Sequence, residues 1–355
     1  MTEPPLIARL LLIGGFLAVT ITVPVIDGSG FWRDPEDPRE RRAVENLRSE
    51  WEPSFETLED GRWARHLQLR IADASRVGAW LRPSYFEARV GLLRDPPHRV
   101  VIGKDGWLFL ARSLRHQGRS PLRLHALLRE ALRQKIPLGI GFIPSKGEMH
   151  PDKLPFPMEP ARARLYDRLT AQVRKAKVPF VDLRAALKEA AQTHGRSMFI
   201  PSDTHTDSVG LLVLARTIAR EFRLATDKRI EEFSRAAVSY RHPMRTHLGD
   251  LQTMLGVAEG SPTWRRFDVN VAELKSIDQP PLSDASAHLW IGDSFSTNNA
   301  LYLPRITAEM AGWPDLHLVN YQPGWDKIAL ARLRGPTKPK TVVVVLSARW
   351  FRLTR

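Results

Sequence analysis

The chain has 355 residues, 43% hydrophobic and 26% charged, a balance that fits a globular core and excludes wholesale disorder. It has no cysteine, which excludes disulfides and thiolate metal sites and says nothing about compartment. Lys and Arg number 53 against 39 Asp and Glu, a formal charge of +14 that draws polyanions, yet no zinc-finger spacing, RNP-like sequence or dense basic helix makes nucleic acid a partner. The arginines are scattered, as an arginine-rich genome or a charged partner would each produce.

The first element is "LIARLLLIGGFLAVTITVPVI", Leu6 to Ile26, whose one charge, Arg9, lies near its end. As a helix this length crosses a bilayer core of about 30 Å, with Arg9 snorkelling to the interface. No Ala-x-Ala site closes it. Residues 1–29 therefore read as an uncleaved inner-membrane anchor with the body of the chain on the periplasmic face of a bacterium. A cleaved signal peptide and a buried core helix are the alternatives.

Residues 30–94 read as a charged, proline-containing stalk followed by a helical lead-in. From residue 95 the pattern changes. Val100–Ile102 and Trp107–Leu110 flank a Lys-Asp-Gly turn and predict a hairpin. Then a helix ("PLRLHALLREALRQK") leads to a strand ("IPLGIGFIP"). Another helix ("ARARLYDRLTAQVRKAK") precedes the strand "VPFVDL" and the helix "RAALKEAAQTHG". The helix "SVGLLVLARTIAREF" carries Leu211, Leu214, Ile218 and Phe222 on one face. "HLWIG" and "TVVVVLS" are buried strands. This alternation predicts an α/β fold, a parallel sheet with helices on both faces, spanning residues 95–355 with an irregular insertion around 225–283.

In such sheets functional groups collect at the carboxyl ends of strands. Three stretches fall there: "GDS" with Ser294, "PSDTHTDSVG" with Asp203 and His205, and "IPSKGEMHP" with Lys146. If the "DTH" segment is extended, residues i and i+2 share a face. Asp203 then orients His205, and His205 can take the Ser294 proton, the logic of a catalytic triad. The competing reading makes Asp203, Thr206, Asp207 or Ser208 a cap of the next helix and "GDS" a turn. Lys146 offers a point charge for a substrate carboxylate, against the alternative of a solvated surface lysine. Asp293 reads as holding its turn, and Trp107 and Phe109 as core. No His/acid cluster with ligand spacing is evident, so neither metal nor cofactor is expected.

Six ordered motifs, "VVIGKDGWLFL", "FIPSKGEMHPDKLP", "VPFVDLRAAL", "SDTHTDSVG", "HLGDLQTML" and "IGDSFS", resemble the AlgJ/AlgX group of SGNH-hydrolase-like proteins, which O-acetylate exported polysaccharides. The resemblance covers about residues 55–355. It implies that Ser294 is the acyl-carrying nucleophile, His205 its base and Asp203 the orienter. It also implies a membrane-bound O-acyltransferase as acetyl donor and a polysaccharide acceptor, in exopolysaccharide biosynthesis such as that of alginate. The sequence departs from the family's pattern at Thr206, where tryptophan is usual, at His150, where tyrosine is common, and at "VLSARWF", which keeps Arg349 without the usual acids. A backbone oxyanion hole is expected at Ser294, with Asn298 or Asn299 as further donors or plain helix surface. A carbohydrate esterase with the same triad and a non-catalytic scaffold of an export complex are the other readings.

Overall fold

The computed structural model describes residues 84–93, 95–115, 122–237, 245–247, 249–257, 259–271, 281–297 and 303–351. The expected anchor and most of the expected stalk lie outside these, as do Asn298 and Asn299. Among the described residues no helix is long and apolar enough to cross a membrane. The chain divides into two units, Met1–Asp95 with Gly256–Thr263, and Pro96–Leu255 with Trp264–Arg355. In the first, the π-helical turn Glu87–Leu92 is tied down by its first carboxylate, which accepts from the Thr263 N–H (2.9 Å) and hydroxyl (2.5 Å).

The second unit opens on the antiparallel hairpin of β1 (Val100–Ile102) and β2 (Leu108–Leu110). Asp105 and Gly106 between them both take positive φ, 53° and 75°, the backbone a tight hairpin turn requires. The remaining strands are β3 (Leu138–Ile143), β4 (Phe180–Val181), β5 (Arg245–His247), β6 (Val269–Val271), β7 (His288–Gly292), β8 (His317–Asn320) and β9 (Thr341–Ser347). Five of them form one sheet in the order β4-β3-β9-β7-β8, with every pairing parallel. β5 and β6 form a separate antiparallel ribbon within the expected insertion.

The principal helices are α1 (Leu122–Arg133), α2 (Lys146–Met149), α3 (Leu165–Lys175), α4 (Leu183–His194), α5 (Ser208–Glu221), α6 (Asp227–Ala237), α7 (Ser294–Thr297), α8 (Leu303–Ala311) and α9 (Trp325–Arg334). The central strand β9 shows how they are layered. Its side chains alternate between the two faces of the sheet. Val343 and Val345 join the core with Leu187 of α4, Leu214 of α5 and Ile306 of α8. Val342, Val344 and Leu346 join Leu127 of α1, Leu169 of α3 and Ala329 of α9. Burial on both faces is why β9 reads as an unbroken valine run. Each buried aliphatic side chain contributes about 1.5–3 kcal/mol, so the strand ends are held rigidly.

The stretch expected as a single helix before β4 is instead two. A turn at Pro160–Ala163 rotates Arg162 into the interior, where its guanidinium donates to the carbonyls of Ser113 (2.8 Å) and Ala348 (3.3 Å).

His150, which follows α2, packs at a tilt of 42° against Trp107 with ring centroids 4.4 Å apart and bonds Ser197 Oγ through Nε2 (2.9 Å). Burial pushes its pKa down to about 4, with Asp152 pulling weakly the other way. Between pH 6.5 and 4 the unfolded chain therefore takes up a proton that the folded chain refuses. The folded state loses stability over that window as pH falls, by about 2 kcal/mol after allowance for partial solvent screening. Denaturant melts of the wild type and of His150→Phe between pH 7 and 4 should diverge by that amount; parallel pH profiles would show that the histidine contributes nothing.

Candidate active site

Ser294 leaves the sheet at the carboxyl end of β7. A Cβ on Gly292 would overlap the Ser296 side chain, so only glycine lets the chain turn this sharply from strand to helix. Asp293 fastens the turn. Its Oδ1 accepts from the Phe295 N–H (3.1 Å), and its Oδ2 accepts from the Ser347 N–H (2.9 Å) and from Trp350 Nε1 (2.6 Å). The start of α7 is thus tied to the end of β9, as the turn-holding reading of Asp293 expected. Ser294 Oγ then lies 3.1 Å from His205 Nε2 and 2.8 Å from Arg349 Nη2.

Asp203 and His205 meet for a different reason from the one expected. The segment is bent rather than extended. A bridge between Phe199 and Thr206 closes it, and the Ile200 N–H donates to the His205 carbonyl (3.1 Å). Asp203 Oδ1 accepts from both the backbone N–H of His205 (3.0 Å) and its ring Nδ1 (2.7 Å). A tight turn, not strand alternation, brings them together. The capping reading falls to a neighbour: Asp207 caps α5 by accepting from the Gly210 N–H (2.8 Å), which leaves Asp203 for His205.

The turn is buried, with Ser202 at 0% and His205 at 2% exposure. A buried loop must satisfy its backbone polar groups from elsewhere. Lys146 does most of this. Its ammonium donates to the carbonyls of Ile200 (2.8 Å), Pro201 (2.6 Å) and Asp203 (2.8 Å), while its charge lies 5.1 Å from the Trp107 ring centre. This corrects both expectations for Lys146. All three of its protons are used inside the protein, so none is left for a sugar carboxylate, and the residue is only 6% exposed. Burial pushes its pKa down to about 7, against the pull of the Asp203 and Asp250 carboxylates. The aim of Lys146 is set by a capping box, in which Ser145 accepts from the Glu148 N–H (3.4 Å) and Glu148 accepts from the Ser145 N–H (2.7 Å). The hairpin contributes the Leu108 N–H, which donates to the Pro201 carbonyl (2.9 Å).

"HLGD" supplies the remaining contacts, a role sequence reasoning did not find. The Asp250 carboxylate accepts from the Thr204 N–H (2.7 Å) and hydroxyl (2.6 Å), and the Asp250 N–H donates to Asp203 Oδ2 (3.1 Å). Gly249 must be glycine, because a Cβ would overlap the Ser202 carbonyl. Burial, followed by the nearby Asp203 charge, raises the Asp250 pKa. Asp203, His205 and Asp250 thereby come within 4.8 Å of one another, a spacing metal ligands use. The absence of such a cluster was a sequence expectation; it failed because Asp250 arrives from 47 residues beyond Asp203. The ligand atoms are engaged in hydrogen bonds with one another, with Thr204 and with Ser294.

The polarity of this network follows from its donors. Arginine has no acceptor, so Ser294 Oγ accepts from Arg349 and is free to donate its own proton to His205 Nε2. His205 then carries its proton on Nδ1 and donates to Asp203. The arrangement can withdraw a proton from Ser294 and stabilise the resulting imidazolium. Arg349 and Thr204 were not expected in this network; Arg349 was marked only as the arginine kept from the family's pattern after a strand, and Thr204 only by its place inside "DTH".

Comparison with known proteins follows from this geometry. Residues 100–306 match the family model described as SGNH hydrolase-like domain, acetyltransferase AlgX. A protein of Pseudomonas aeruginosa called "Probable alginate O-acetylase AlgJ" is 29% identical over 165 residues, 44% of this chain and 41% of its own length. The chain thus matches less than half of that relative. The solved "O-Acetyltransferase Domain of Pseudomonas putida AlgJ" superposes with a TM-score of 0.50 at 20% identity, covering 72% of this chain and 93% of that one, a likeness of fold. With the family model spanning more than half of its length, the chain belongs to the AlgX-type family of SGNH hydrolase-like acetyltransferase domains.

Proposed function

We propose that the protein transfers acetyl groups to hydroxyls of an exported polysaccharide through an acetyl-Ser294 intermediate. The observation that carries this reading is the continuous relay Ser294 Oγ–His205 Nε2 (3.1 Å) and His205 Nδ1–Asp203 Oδ1 (2.7 Å), set in an acetyltransferase family domain. His205 takes the Ser294 proton as Oγ attacks the acetyl carbonyl, and returns it to the departing group. A sugar hydroxyl then gives its proton to His205 and attacks the acetyl-serine; the carbon–Oγ bond breaks, Ser294 Oγ takes the proton back from His205, and the sugar leaves acetylated. Asp203 holds the imidazole in the required tautomer and faces the positive charge that forms on it.

The relative's name supports alginate or a similar exopolysaccharide as acceptor. In this reading residues 1–29 anchor the chain in a bacterial inner membrane, residues 30–94 form the stalk and helical lead-in, and residues 95–355 act in the periplasm. A membrane-bound O-acyltransferase supplies acetyl groups from the cytosolic side. Incubation of the purified protein with an aryl acetate and a defined oligouronate tests the reaction. Acetylated sugar is the expected product; release of acetate alone at saturating oligosaccharide would make the protein an esterase.

A further inference from the structure

Arg349 is the residue of the site whose environment the relay leaves unexplained. It sits on the 3-10 turn Ala348–Trp350 that ends β9. Asp293 holds the chain on both sides of it, accepting from the N–H of Ser347, two residues before (2.9 Å), and from the indole of Trp350, the next residue (2.6 Å). The Ala348 carbonyl is held by the buried Arg162 (3.3 Å). The guanidinium is therefore aimed by the same carboxylate that fixes the start of α7. Its residue is 8% exposed, and Nη2 donates to Ser294 Oγ at 2.8 Å. Among the described residues no carboxylate pairs with it, and its Nε is buried with no hydrogen-bond partner. The rings of Phe295 and Trp350, each 5.9 Å away, are the nearest offset to its charge.

Burying an unpaired cation is costly, and a hydrogen bond to a resting serine does not repay it. A hydrogen bond confined to the ground state would slow the reaction, because only contacts that strengthen in the transition state accelerate it. The negative charge that appears two bonds from Oγ, on the carbonyl oxygen under attack, is the partner this cation lacks.

We propose that Arg349 is a catalytic residue: it donates to Ser294 Oγ at rest and to the acyl oxyanion during attack. The inference rests on the acetyl-Ser294 reading above. When the Oγ–carbon bond forms, the hydroxyl proton passes to His205 Nε2 and the carbonyl π pair moves onto oxygen. Nη2 shifts to that oxygen, two bonds from Oγ, and the charge is met by a charged, largely buried donor. Collapse restores the carbonyl and expels the alcohol of the donor ester, which takes the proton from His205. Acyl transfer to the acceptor runs through the same oxyanion in reverse.

The test uses the full chain with p-nitrophenyl acetate as donor and methylboronic acid, which forms a tetrahedral anion on serine, as probe. Arg349→Met is expected to lower kcat by about 10²–10³-fold with KM little changed, and to weaken boronate binding by a similar factor. Arg349→Lys, which keeps the charge and most of the stem, should fall between. A kcat of Arg349→Met at or above one third of wild type, or boronate affinity that does not follow kcat, would overturn the proposal. Ser294→Ala run alongside separates the two claims: its retention of activity sinks the acetyl-serine reading itself, whereas an inactive Ser294→Ala beside a fully active Arg349→Met sinks the arginine alone.

Discussion

Ser294→Ala is expected to lower ester turnover by at least about 10⁴-fold while the protein stays folded. The substitution removes one oxygen from a partly exposed side chain at the start of a four-residue helix, so little packing is lost. What goes is the nucleophile. His205→Ala should cost a similar factor, because Ser294 without a base 3.1 Å away is an ordinary alcohol. The double variant should be no worse than either single one, since residues that act as a unit are not additive. Turnover of p-nitrophenyl acetate, with thermal melts of each variant, checks this. Two independent losses that multiply in the double variant would mean that the serine and histidine do not work together.

The second large effect is expected at a residue that touches no substrate. Lys146→Met keeps the length of the side chain and removes its three donors. The Asp203 carbonyl loses its donor, while the carbonyls of Ile200 and Pro201 each keep one, from the Asp203 N–H (3.2 Å) and the Leu108 N–H (2.9 Å); an unmet buried acceptor costs about 1–3 kcal/mol, and one that keeps a donor costs less. No longer burying a cation offsets part of this. A net loss of about 2 kcal/mol is expected, a fall in Tm of roughly 3 °C for a chain of this size. Turnover should fall by about 10²-fold even well below that Tm, because the turn that presents Asp203 to His205 relaxes and small misplacements are costly. A variant with wild-type Tm and turnover would show that the Asp203 turn holds itself. Chemical complementation by short alkylamines offers a second readout: partial recovery of turnover would place the defect in the missing ammonium.

These contacts explain which parts of the site were legible beforehand. The triad candidates could be found because each lies at a strand end or beside a helix start, and because nucleophile and base chemistry restricts the residue types. The valine run of β9 and the amphipathic face of α5 gave the parallel sheet and its cover. The edge strand β8 was not anticipated: in "HLVN" alternate positions are only partly buried, so it lacks the apolar run of a central strand. The supports of the Asp203 turn were harder still. Lys146, Leu108 and the pair Gly249–Asp250 converge on it from three separate stretches of chain, and nothing local in "PSDTH" shows that its carbonyls are buried and need donors. "SKGE" was a readable capping box, but its purpose, to aim a lysine inward, depends on tertiary contacts. Arg349 was noted only as an arginine kept without neighbouring acids, and that lack of a partner acquires meaning only when its guanidinium is found beside Ser294.

The central claim is a covalent acetyl-serine, and capture of that species tests it most directly. The wild-type protein should be mixed with an excess of aryl acetate, quenched in acid within the first turnovers, and its peptides analysed by mass spectrometry. The account predicts the added mass of one acetyl group on the peptide that contains Ser294. It should be lost when a sugar acceptor is supplied before the quench and absent in His205→Ala. Turnover of the ester with no acetyl group on Ser294, or with the group resident on another side chain, would contradict it.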